Sequence, residues 1–75
     1  MTTLQEDVLT QFGNRVRELR RGKQFSQEDL GLETGLEQAY ISDVELGRRN
    51  ISLRNIHALA KALGVTLSDL FNGLE

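Results

Sequence analysis

The stretch 26–47, SQEDLGLETGLEQAYISDVELG, decides the fold. It reads as two short helices, about 27–34 and 38–46, joined by a tight turn at Gly35. Ser26 opens the first helix. Its hydroxyl can accept the Asp29 amide while the Asp29 carboxylate reaches back, the reciprocal arrangement of a capping box. Phe25 before the cap and Leu30 after it form a hydrophobic staple. Gly35 then stops the helix, because glycine takes up the left-handed conformation without steric cost. Leu36, Glu37 and Ile41 repeat the staple for the second helix, with glutamate as a poor cap, and Gly47 closes it.

The same grammar extends outward. Ile51-Ser52 with Ile56 and Val65-Thr66 with Leu70 repeat the staple, and Thr66 with Asp69 repeats the box. Thr3 with Glu6 gives a box for a first helix. Gly22, Gly64 and Gly73 stand where helices should stop. Starts and stops therefore agree on five helices, about 4–21, 27–34, 38–46, 53–63 and 67–72. Proline is absent and no stretch alternates as a strand does, so the expected class is all-α. Leu4, Val8, Phe12, Val16 and Leu19 line one face of the first helix. Burial is expected of Leu30 and Leu32 or their neighbours in the second helix and of Ile41 and Val44 in the third. Ile56, Leu59, Ala60 and Leu63 follow in the fourth, and Leu67, Leu70, Phe71 and Leu74 in and after the fifth. Gly31 is expected to serve close packing of the second helix on the third, whereas Gly13 has no evident reason.

Seventy-five residues make one domain, spanning 1–75. No cysteine is present, which removes disulfides and zinc–thiolate sites. No apolar run approaches the roughly 20 residues of a membrane span, and the N-terminus lacks the pattern of a secretory signal. A cytoplasmic location is the expectation. Net charge is −2, which runs against nucleic-acid binding, since phosphate neutralisation supplies much of that affinity. The distribution softens the objection. Five of the nine basic residues lie between Arg15 and Lys23, and Arg48, Arg49 and Arg54 add three. Six of the eleven acids lie between Glu28 and Glu45, so an acidic helix pair is flanked by two basic clusters.

Catalysis has little support. His57 is the single histidine and falls on the fourth helix. No nucleophile triad, zinc-binding HExxH, phosphate loop or dinucleotide fingerprint is present. The helix pair is more informative, because two helices of about eight residues around one glycine turn are what a helix-turn-helix requires. Gln38, Ala39, Ser42 and Asp43 share the face of the second helix opposite Ile41 and Val44. Glutamine can pair bidentately with adenine, serine can bond several base edges, and an alanine methyl can meet a thymine methyl. Asp43 would repel phosphates yet could accept from cytosine N4.

The pieces RELR, F-SQEDL, AYIS, E-G-RRN and ALAKALGV, in that order over residues 12–72, resemble the Cro/cI-type (XRE) helix-turn-helix regulators. The ELGRRNISL–NI run and the small size resemble the controller proteins of restriction–modification systems within that family. The resemblance implies a five-helix, lambda-repressor-like domain that binds a palindromic double-stranded DNA operator as a homodimer. It makes Gln38, Ala39, Ser42 and Asp43 the base-reading residues. Gln27, Tyr40, Arg48, Arg49 and Asn50 become the backbone contacts, and Arg20 with Glu45 a partly buried ion pair. It further implies autoregulation, RNA polymerase as a partner, and no cofactor, metal, small-molecule ligand or enzymatic activity. No effector domain is expected after Gly73.

Glu37 and Gln38 stand where controllers often carry a basic residue, Leu46 where arginine or asparagine is common, and Gly31 where alanine is usual. These departures point to weak non-specific binding. Two recognition helices about 34 Å apart would read successive major grooves. The surface for pairing is expected over 51–75, through Ile51, Val65, Leu67 and Phe71. An antitoxin-like protein-interaction module is the rival reading, favoured by the net acidity and Leu46.

Overall fold

A computed structural model describes residues 7–75. Five helices follow in order: α1 (Val8–Gly22), α2 (Gln27–Thr34), α3 (Gln38–Glu45), α4 (Leu53–Leu63) and α5 (Leu67–Leu70). No strand occurs among the described residues. The local start signals act as their chemistry requires. Ser26 accepts the Asp29 amide at 2.9 Å, and Asp29 Oδ2 accepts the Ser26 amide at 2.9 Å. That return bond from the Ser26 amide, aided by the hydroxyl, holds the Asp29 carboxyl below its ordinary value. Thr66 and Asp69 form the same box on α5, and Ser52 Oγ caps α4 through the Asn55 amide. Glu37 makes no side-chain bond to the start of α3.

Three expectations change. The first helix begins at Val8 rather than near residue 4, because Asp7 is extended and its carboxylate accepts the Leu9 amide at 2.7 Å. The Thr3–Glu6 box and Leu4 lie outside the described residues. Gly22 is the last residue of α1, one beyond the expected end at 21, and it does not take the left-handed conformation. The left-handed position two residues on belongs to Gln24, at φ 63°, the one non-glycine residue with positive φ among those described. The Gln24 amide donates to Arg21 O and the Phe25 amide to Arg20 O, a Schellman closure built without glycine. Finally, α5 is a single turn that ends at Leu70 rather than near residue 72.

The core is made of Phe12, Val16, Leu30, Ile41, Val44, Leu59, Ala60, Leu63 and Leu70. Every helix contributes to it, so none is stable by itself. Leu32 is a correction: it is 78% exposed. Two positions apart on a helix means about 200° of rotation, so Leu30 and Leu32 cannot share a face. α3 packs against both α1 and α2, and α4 lies under α2. This leaves one side of α3 facing outward.

Candidate nucleic-acid interface

Glu45, at the C-terminal end of α3, is 1% exposed. Arg20 meets it with two parallel bonds, Nε to Oε2 at 2.6 Å and Nη2 to Oε1 at 3.0 Å. Arg20 also donates from Nη1 to Phe25 O at 2.8 Å, which fixes the entry into α2. Gln27, the first residue of α2, donates to Glu45 Oε1 at 3.1 Å. Arg17 Nε lies 3.5 Å from the same oxygen and Arg17 Nη2 donates to Glu45 O at 3.1 Å. Burial by itself raises the Glu45 carboxyl, but hydrogen bonds from Arg20 and Gln27, with the charges of Arg20 and Arg17, outweigh it. The net direction is down. The Arg20 guanidinium is held above its ordinary value by its bond to Glu45. No buried side-chain nitrogen or oxygen among the described residues is left without a partner. The cluster thus ties α1, α2 and α3 together at one end of α3.

Gly13 belongs to the same junction. A Cβ there would strike the carbonyl oxygens of Val44 and Glu45, the latter at 2.6 Å. The absence of a side chain lets α1 pass directly over the end of α3. Gly31 plays the parallel part in the turn, where a Cβ would lie 2.7 Å from Leu36 O. The helix α3 closes with Gly47 at φ 74°, its amide donating to Val44 O and the Arg48 amide to Asp43 O at 2.8 Å. That closure starts the loop carrying Arg48, Arg49 and Asn50, all exposed.

The other face of α3 is open. Gln38 and Ala39 are exposed, and Ser42 and Asp43 are half-buried at its edge. Tyr40 packs against the core, and its hydroxyl accepts from Asn55 Nδ2 at 3.1 Å. Above the Tyr40 ring lies the Arg49 guanidinium, 5.0 Å from the centroid. Arg49 Nε is 3.6 Å from Asp43 Oδ2. The structure therefore brings Gln38, Ala39, Ser42 and Asp43 to one outward face, with Tyr40, Arg48, Arg49 and Asn50 along its C-terminal side. Gln27 sits behind, with its amide turned to Glu45.

This arrangement is a pair of short helices around a glycine turn, whose second member presents a polar face outward. The family model described as helix-turn-helix matches residues 16–70. The chain belongs to this XRE-type helix-turn-helix family of DNA-binding transcription regulators. Among its relatives, the control protein C.BamHI of Bacillus amyloliquefaciens is 50% identical over 62 residues, covering 81% of this chain and 76% of that one. The control protein C.MunI of Mycoplasma sp is 40% identical over 70 residues, covering 92% and 95%. The crystal structure of the restriction-modification controller protein C.AhdI from Aeromonas hydrophila superposes with a TM-score of 0.82 at 49% identity, covering 84% of this chain and 96% of that one.

Family membership leaves several residues of this chain to be found by structure. Gly13 and Arg17, at the α1–α3 junction, carry no sequence signal beyond an unexplained glycine and one arginine in a basic run. Leu53, 71% exposed, joins half-exposed Leu67 and His57 around an apolar depression on α4 and α5. Phe71 stacks on Phe12 at 5.4 Å while keeping 39% of its surface exposed, and Ile51 and Val65 lie partly against the core. Among the described residues no cluster of three or more His, Cys, Asp or Glu could hold a metal ion, and no helix is long and apolar enough to cross a membrane.

Proposed function

We propose that this regulator binds a palindromic operator as a homodimer and serves as the controller of a restriction–modification system. The outward face of α3, held rigid from behind by the Glu45 cluster, is the observation that carries the reading. Gln38, Ala39, Ser42 and Asp43 meet base edges in the major groove. Tyr40, Arg48, Arg49 and Asn50 hold the sugar-phosphate chain, and since the helix pair is acidic the two arginines supply the attraction, while Gln27, its amide on Glu45, braces α3 from behind. Likeness to three control proteins supports the narrower role. Residues 1–75 act as one DNA-binding unit in the cytoplasm, with no reaction to catalyse. Region 51–75 pairs two copies, through Ile51, Val65, Leu67 and Phe71 with Leu53 added. The dimer activates or represses according to the site it fills, including at its own gene, with RNA polymerase as its partner.

A second reading, an antitoxin-like protein-interaction module, draws on Leu32, which stands exposed on α2 beside Glu28 and Glu33. One experiment separates the two. Selection from a random duplex pool should enrich a two-fold symmetric sequence with half-sites about one helical turn apart. Sedimentation at about 10–50 μM, above the micromolar-to-nanomolar dissociation constants of specific complexes, should show a dimer. No enriched sequence, or a strict monomer with and without DNA, would overturn the proposal.

A further inference from the structure

We propose that Asp43 restrains Arg49: it draws the arginine into an internal ion pair that competes with its turning to a phosphate. The cost of opening is offset only where the DNA offers Asp43 a base amino group. This rests on the reading of α3 and the loop after it as the DNA surface.

Arg49 is held from two sides. Its Nε lies 3.6 Å from Asp43 Oδ2, and its guanidinium lies over the Tyr40 ring. The ring is itself fixed by the bond from Asn55 on α4. The Arg48 amide donates to the Asp43 carbonyl, which keeps the start of the loop against the helix that carries the acid. The side chains of Arg49 and Asp43 are 52% and 37% exposed, so water reaches the pair and it can open.

The consequence is selective. An arginine facing the sugar-phosphate chain attracts every sequence alike. Once Arg49 turns to a phosphate, the Asp43 carboxylate is left without it. Guanine N7 and O6 are acceptors and repel that carboxylate, whereas cytosine N4 and adenine N6 carry donors that satisfy it. Wrong sites therefore lose the internal pair with no return, and right sites replace it. Specificity is gained by penalising the alternatives, not by adding attraction. An exposed pair of this kind shifts binding by roughly two- to five-fold per protomer.

The test is a two-by-two cycle with Asp43→Asn and Arg49→Ala, singly and together, titrated against a duplex selected by the wild-type protein and against the same duplex with each base pair of a half-site inverted in turn. Thermal melting of each variant confirms folding, and Asn keeps the shape of Asp. At the position that faces Asp43, inversion puts an acceptor where the amino group stood, and there Asp43→Asn should tighten binding by roughly two- to five-fold per protomer and so lower the preference for the selected pair. In the Arg49→Ala background that tightening should vanish. If Asp43→Asn tightens every duplex equally with and without Arg49, the acid repels phosphates directly and the proposal is wrong. No tightening in either background also overturns it. If Arg49→Ala leaves binding to every duplex unchanged, the reading of the loop as a DNA surface fails instead.

Discussion

The two ends of α3 are built for opposite purposes. At its C-terminal end, Glu45 is fully buried and bonded by Arg20, Gln27 and Arg17, with the backbone of α1 pressed against its carbonyls at Gly13. At its N-terminal end and outer face, Gln38 and Ala39 touch little, and the capping residue Glu37 makes no side-chain bond. One eight-residue helix thus separates a bonded, buried end from an open face, which on the proposed function is the face that reads DNA. A reader must be rigid to discriminate and uncommitted to make new bonds, and the helix meets both needs by placing them a turn or more apart.

The contrast can be broken hardest at Glu45. Glu45→Ala leaves Arg20 buried without its carboxylate, a loss of about 3–5 kcal/mol. A domain of this size has about 4–11 kcal/mol in all, so the melting midpoint should fall by at least about 12 °C. Acid does the same gradually. The folded-state Glu45 carboxyl lies below its unfolded value, so the unfolded chain binds this proton first as pH falls. The stabilisation is whole above the ordinary glutamate value of about 4.3 and is lost as the pH drops through the folded one. The gap between wild type and Glu45→Ala should narrow below that range in a pH series of thermal melts. A constant gap would mean that the pair does not hold α3.

Gly13→Ala comes next. Its methyl would meet backbone carbonyls that cannot swing aside, so the cost lies at the upper end of the range for overpacking, about 2–3 kcal/mol. The gain in helix propensity returns about 1 kcal/mol. Chemical denaturation should show a net loss, with the selected DNA sequence also bound more weakly because α3 is displaced. A Gly13→Ala protein as stable as wild type would contradict the close crossing.

Much of this division was legible in the chain, and for local reasons. Ser26 with Asp29 and Thr66 with Asp69 are pairs three residues apart, so the caps and the five helices could be read from neighbours. The outward set Gln38, Ala39, Ser42 and Asp43 follows from helical periodicity alone. What escaped depends on distant partners. Gly13 is explained by carbonyls more than thirty residues away, and Arg17 by the same helix end. Leu32 looked like core until its angle from Leu30 was set against the packing. The end of α1 falls within one residue of its expected place, but Gln24 takes the left-handed role that glycine usually fills.

The smallest effect on stability carries the most meaning. Gln38→Ala is an exposed change that should shift stability by within about 0.5 kcal/mol, and Arg49→Ala, which gives up the Asp43 pair and the Tyr40 ring, by about 1 kcal/mol. Sequence selection from a random duplex pool with both variants tests the central claim, that the outer face of α3 reads DNA while its flank only attracts it. Gln38→Ala should change the enriched sequence, whereas Arg49→Ala should weaken all sequences and flatten the salt dependence. If both variants lose affinity and keep the wild-type preference, reading is not done by this face.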